Sequence, residues 1–279
     1  WVMGVGLWSQ WGREWFGWSV KPSNHEGWER YFTFNVDHKV IGIQYLVTFV
    51  IVFLLGGLMA MLIRTELMNN DARVFSNPTY NTVMGLHGIF MIAVAVAAVI
   101  GGLGNYAVPI MIGADDMAFP RLNALSYWLI PPVAFGLLAT PFLGGIETGW
   151  TAYPPLSVLT ESAQTFWNLS IITFGLSSIF SGLNFIVTII FLRAPGMTWS
   201  RLPVFVWAMF ATAFLALMYT QGFATALLMV TLDRVAGTVF FDASRGGDPL
   251  LYQHVFWFYS HPAVYIMVVP GFGVALEVI

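Results

Sequence analysis

Few side chains in this sequence can do chemistry, and two of them are histidines set deep in apolar stretches. His87 lies in Met84-Gly-Leu-His-Gly-Ile-Phe-Met91, flanked by Gly85 and Gly88. A neutral imidazole is a strong axial ligand for haem iron, and the two glycines would let a flat macrocycle approach the backbone. A packing histidine, hydrogen-bonded across a helix bundle, is the plainer alternative. His261 lies in Trp257-Phe-Tyr-Ser-His-Pro-Ala-Val-Tyr265. Pro262 removes a backbone donor and predicts a kink. Tyr265 follows His261 at i+4, on the same helix face. Imidazole beside phenol in an apolar segment suits a metal ligand with a redox-active or proton-donating neighbour. A kink with a packed aromatic pair explains it equally well.

A third pattern is a polar stripe. Thr173, Ser177, Ser181 and Asn184 recur at i, i+4, i+8 and i+11 in an otherwise apolar run, and Asn105, Asp115, Asp116 and Asn123 add a carboxylate mouth. Such a stripe can line a water-filled proton path entered at an acid. Hydroxyl and amide groups also serve as packing glue between membrane helices, so spacing alone leaves both readings open.

The elements that must hold these residues follow from composition. Of 279 residues only 9% are charged, 58% are hydrophobic, and the mean hydropathy is +0.74. Soluble domains carry about a quarter charged residues. Disordered chains, nucleic-acid binders and ordinary soluble globules are therefore excluded. The absence of cysteine excludes disulfides, thiolate nucleophiles and Cys-ligated metals. Six stretches without Asp, Glu, Lys or Arg cover 40–63, 81–113, 122–146, 162–192, 202–232 and 249–276. Each exceeds the ~20 residues that cross a bilayer, and the ~10-residue alternation of barrel strands is missing. The expectation is an all-α, polytopic transmembrane bundle over 38–279. Residues 1–37, with six Trp and scattered charges, are expected at the membrane interface. Arg13, Lys21, Arg30, Lys39, Arg121, Arg193 and Arg201 fall on one side, against Arg64, Arg73, Arg234 and Arg245 on the other. That bias favours a cytoplasmic N-terminus.

Longer strings then carry a resemblance. They are Leu62-Ile-Arg-Thr-Glu-Leu67, Gly101-Gly-Leu-Gly-Asn-Tyr106, Met111-Ile-Gly-Ala-Asp-Asp-Met-Ala-Phe-Pro-Arg-Leu-Asn123, Thr148-Gly-Trp-Thr-Ala-Tyr-Pro-Pro155, Gly247-Asp-Pro-Leu-Leu-Tyr-Gln-His254 and Ser260-His-Pro-Ala-Val-Tyr265. In this order they resemble the large catalytic subunit of haem-copper terminal oxidases, the cytochrome c and quinol oxidases. The resemblance implies that His87 is an axial ligand of the low-spin haem, contacted also by Arg64 and Trp150. It implies that His261 is a ligand of the copper facing the high-spin haem, with Tyr265 the tyrosine cross-linked to it. It makes Asp116 the entrance of a proton channel running past Asn105, Asn123, Asn184, Ser177 and Ser178. The implied reaction is reduction of O2 to water with electrons from cytochrome c or quinol, coupled to proton pumping. The implied partners are oxidase subunits II and III, the remainder of subunit I and membrane lipid, with no nucleic acid.

Two departures stand out. The common pattern reads Gly-His-Pro-Glu, whereas this chain has Ser260 and Ala263. The pair Tyr259-Ser260 resembles a subfamily in which a tyrosine hydroxyl takes the place of the buried carboxyl, so Tyr259 is expected to relay protons. That variant points to a prokaryotic cytoplasmic membrane over a mitochondrial one. The family also has about twelve helices, so the chain reads as the first half, a fragment or split product supplying one ligand to each of two metal centres. The rival readings are a nitric oxide reductase-like relative, which generally lacks Tyr265 and the Asp116 channel, and a haem-free transporter or structural subunit.

Overall fold

The computed structural model describes residues 27–68, 74–160 and 163–279. The expected interfacial segment lies outside the described residues as far as Glu26; after it comes a 3₁₀ turn, Gly27–Tyr31. Helix α1 is His38–Glu66, started by the Asp37 carboxylate, which accepts from Lys39 N–H and Val40 N–H. Helix α2, Asn77–Ile89, has Ser76 as N-cap and Pro78 in its first turn. A π-helical turn, Phe90–Ala95, joins it to α3, Val96–Ile112. Helices α4, Pro120–Trp128, and α5, Ile130–Ala139, are separated at Leu129, where Pro131 and Pro132 withhold N–H donors. A short α6, Leu156–Leu159, precedes α7, Gln164–Phe191, α8, Val204–Val235, and α9, Pro249–Val278.

Among the described residues six segments are long and apolar enough to cross a membrane: His38–Glu66, Asn77–Ile112, Pro120–Leu143, Gln164–Phe191, Val204–Val235 and Pro249–Val278. They match the six expected stretches, with ends displaced by a few residues. The protein is an integral membrane helical bundle. Exposed Val47, Val50, Ile51, Leu54 and Leu58 give α1 an apolar outer face, as lipid requires and water does not tolerate. Inside, Ile41, Leu86, Phe90, Trp167, Tyr252 and Phe256 are almost fully buried. Helices α1 and α9 are the least covered, whereas the α4–α5 segment and α7 are the most covered. Gly113, left-handed at φ 72°, stops α3 and lets Ala114 N–H return to the Pro109 carbonyl. That turn places the Asp115–Asp116 loop beside the start of α1. Helix α9 continues through both Pro262 and Pro270.

Candidate metal ligands and a candidate proton path

His87 sits near the end of α2, with Nδ1 2.9 Å from the Gly56 carbonyl of α1. A carbonyl only accepts, so Nδ1 carries the proton and Nε2 keeps its lone pair. A second hydrogen bond of this kind is what orients a metal-ligating imidazole. The glycines beside His87 do not have the expected role. A Cβ on Gly88 would come 2.9 Å from Trp150 Cδ1, and one on Gly85 would come 2.9 Å from Ile146 Cδ1. They admit the loop 144–153, so the space over them belongs to protein. Trp150 thus lies beside the His87 turn. Arg64 is exposed in the last turn of α1, about 12 Å along the helix from Gly56.

The loop 144–153 is pinned to several helices. The Thr82 hydroxyl of α2 pairs with both the Ile146 carbonyl (3.1 Å) and the Ile146 N–H (3.0 Å). The Tyr252 hydroxyl of α9 donates to the Thr151 carbonyl at 2.7 Å. Trp257 Nε1 of the same helix donates to the Tyr153 hydroxyl. Trp150 itself packs against Phe256 and Trp257, with ring centroids 5.8 and 6.3 Å away. The loop is therefore a strap between the helix of His87 and the helix of His261.

His261 and Tyr265 share one face of α9, with ring centroids 4.7 Å apart at 71°. Both are exposed. Tyr259 points the other way. It stacks on Phe223 of α8 at 4.9 Å, beside the Thr220 hydroxyl. Ser260 is buried. Among the described residues no three His, Asp or Glu side chains gather into a self-contained metal site, so each imidazole offers a single ligand.

The polar residues cluster towards the end of the bundle that holds Asp116. The Asp116 carboxylate accepts from Met117 N–H at 2.6 Å. Burial raises its pKa above the ordinary carboxylate value, partly offset by that bond and by His38. Asn105, Asn123, Ser126 and Asn184 are buried at 0 or 1% exposure. Asn123 Oδ1 and Nδ2 and Asn105 Oδ1 have no protein partner; buried amide atoms of this kind are ordinarily satisfied by water. Asn184 is fully committed, accepting from Phe119 N–H at 2.9 Å and donating to the Phe119 carbonyl at 3.2 Å. It holds the loop that carries Asp116.

Further inward, Ser177 donates to the Ser126 carbonyl at 2.6 Å. The Ser126 hydroxyl donates to the Asn123 carbonyl at 2.7 Å, so the Tyr45 hydroxyl, 3.2 Å away, donates to Ser126 Oγ. A cavity of ≈ 70 Å³ follows, lined by Tyr45, Ser177, Ser178, Ser181 and Thr212. A second, ≈ 240 Å³, is lined by Ser178, Trp150, Tyr259, Ser260 and Ala263. The two share the wall formed by Ala97, Phe174, Ser178 and Ile266.

The stripe thus differs from expectation at one end. Thr173 faces an outer groove with Pro132, Phe135 and Leu169, and its hydroxyl turns back to the Leu169 carbonyl at 2.8 Å. Ser178 lines both cavities. Several polar residues here escaped the sequence reading. Tyr45 and Ser126 could have been found as hydroxyls within charge-free spans. His38, buried with Nδ1 2.7 Å from the Asn105 carbonyl, is marked only by its place beside the Asp37 cap.

A family profile described as "Cytochrome C and Quinol oxidase polypeptide I" matches residues 40–279. The chain is 54% identical over 254 residues to the cytochrome c oxidase subunit 1 of Thermostichus vulcanus, covering 90% of this chain and 46% of that relative. It is 48% identical to the subunit of the same name from Synechocystis sp., over 90% of this chain and 46% of the relative. The Corynebacterium efficiens subunit is 41% identical, over 88% and 43% respectively. The chain spans a little under half the length of these relatives. With the helical bundle, the paired cavities and a match across most of its length, the chain belongs to the cytochrome c and quinol oxidase polypeptide I family.

Proposed function

We propose that this chain is the first half of the catalytic subunit of a respiratory terminal oxidase in a prokaryotic cytoplasmic membrane. The complete enzyme would reduce O2 to water with electrons from cytochrome c, or from quinol, and pump protons. The observation that carries this reading is the pair of cavities sharing Ser178. They lie on the two sides of one wall, the first lined by Tyr45 and Ser177 and the second by Tyr259 and Ser260, directly before His261. Partners in this reading are oxidase subunits II and III, the remainder of subunit I and membrane lipid.

His87 would hold the low-spin haem through Nε2, with Trp150 and Arg64 as neighbours. His261 would hold the copper that faces the high-spin haem. When bound, these groups supply one-electron transfer and O2 binding. The rest falls to the chain. Asp116, held protonated more readily by its burial, collects protons at the mouth. Water ordered by Asn105, Asn123, Ser126 and Tyr45 carries them inward, and Ser177 and Ser178 pass them between cavities. Tyr259 lies one turn before Ala263 on the same cavity wall, so its hydroxyl can end the path where Ala263 has no acid to offer. Tyr265, edge-on to His261, can release a proton and an electron from its phenol. Apolar walls exclude stray protons.

The test is Tyr259→Phe in the complete enzyme, with O2 uptake, proton release and copper content measured together. Wild type is expected to show copper and haem bands. The variant is expected to keep both and lose about 100-fold or more in turnover. Full turnover and pumping in Tyr259→Phe would overturn the relay, and iron in place of copper would overturn the oxidase reading.

A further inference from the structure

A buried chain of side-chain hydrogen bonds remains outside the roles described so far. Gln164 and Asn168 lie in the first turns of α7 and are wholly buried. The Thr148 hydroxyl donates to Gln164 Oε1 at 2.6 Å. Gln164 Nε2 donates to Asn168 Oδ1 at 2.9 Å. Asn168 Nδ2 donates to Thr231 Oγ1 of α8 at 3.2 Å, and the Thr231 hydroxyl donates to the Leu227 carbonyl at 2.8 Å.

The last bond fixes the direction of all the others. The Thr231 hydrogen is spent on a backbone carbonyl, so its oxygen must accept from the Asn168 amide nitrogen. The Asn168 oxygen must then face Gln164, whose nitrogen donates. The Gln164 oxygen is left facing Thr148, which can only donate. Among the described residues the other acceptor for the Thr148 hydroxyl is the Gly149 carbonyl, longer at 3.2 Å. Carboxamides pass protons poorly because their nitrogens hold them, so this is no second proton path. In an apolar bundle a broken link would strand a buried donor or acceptor, which makes the ladder stiff.

Its free end sets the position of Thr148, two residues before Trp150, on the strap that lies over Gly88. We infer that Gln164, Asn168 and Thr231 are positioning residues, which place Trp150 against the His87 turn and so set the surroundings of the group His87 binds. This rests on the oxidase reading for its spectroscopic readout.

The experiment uses the complete enzyme with Thr148→Val, Thr148→Ser and Asn168→Leu, and Thr173→Val as control. The readouts are the α-band and midpoint potential of the low-spin haem, and hydrogen–deuterium exchange in the 144–153 loop. Thr148→Val and Asn168→Leu are expected to shift the band and the potential and to speed exchange. Thr148→Ser should restore wild-type values, and the control should change neither. If Asn168→Leu fails to assemble, the half-buried Thr148 pair carries the test. Wild-type band, potential and exchange in Thr148→Val would overturn the positioning role. A wild-type enzyme without haem bands would overturn the oxidase reading, while the exchange measurement still decides whether the ladder holds the loop.

Discussion

Gly88→Ala is expected to change sign with its neighbour. The added methyl would sit 2.9 Å from Trp150 Cδ1 and 3.2 Å from its Cβ and Cγ. Carbon contacts settle at about 3.5–4.0 Å, so helix and ring must part by about half an ångström or more. The ring has little freedom. Phe256 and Trp257 flank it, and its loop is bonded at Ile146, Thr148 and Thr151. Overpacking of this sort costs about 1–3 kcal/mol. Alanine in place of glycine within a helix recovers about 1 kcal/mol. The net for Gly88→Ala alone is a loss of up to about 2 kcal/mol. In a Trp150→Gly background all three of those atoms are absent, and the same change should stabilise by about 1 kcal/mol. Thermal unfolding of the purified complex in detergent, for the four members of the cycle, reads this coupling directly. Equal effects of Gly88→Ala in both backgrounds would refute the contact between the His87 helix and the strap.

Other consequences follow from single side chains. Burial raises the pKa of Asp116 above 3.8, so the folded state binds its proton more tightly than the unfolded chain. Stability should therefore fall as pH rises from the ordinary carboxylate value through the raised one; the wild-type Tm, relative to Asp116→Asn, should drop across that window and stay level below it. Arg234 donates to the Ser157, Val158 and Thr160 carbonyls and to Thr165 Oγ1. Arg234→Met should cost about 1–3 kcal/mol, visible as a lower Tm and faster proteolysis around α6 and Thr160. The Glu277 carboxylate of α9 accepts from Phe205 N–H at the start of α8, at 3.0 Å. Glu277→Ala should cost about 0.5–1 kcal/mol, with the first turn of α8 exchanging amide hydrogens faster.

The spans were legible because a bilayer demands long charge-free runs, and this chain leaves its few charges between them or in their end turns. His87 and His261 stood out as candidates for the same reason: polar groups in apolar runs are rare enough to weigh singly. Other features depend on partners distant in sequence. Phe90–Ala95 is an ordinary apolar string, yet it winds as a π turn. There Met91 lies over Gly56, where a Cβ would come within 2.6 Å of its sulfur. Gly85 and Gly88 looked like space for a ligand because sequence does not show the loop that fills it. Thr173 fits the spacing of the stripe but faces an outer groove with Pro132, Phe135 and Leu169, a tertiary surface that spacing along one helix does not show. The break at Leu129 was partly announced by Pro131 and Pro132, two residues whose missing N–H groups no membrane can replace.

The strap 144–153 has a mechanical consequence for how the bundle answers its surroundings. It joins α2 and α9 at one end of the bundle, where Thr82, Tyr252 and Trp257 anchor it. Bilayers of different thickness are met by changes of helix tilt. Helices tied at one end pivot there, and displacement grows with distance along their length. His87 and His261 lie near the tie, whereas Asp116 lies at the far end. A thinner or thicker membrane should therefore move Asp116 more than the imidazoles, making the surroundings of its carboxylate sensitive to lipid composition while the spacing of the two rings stays nearly constant.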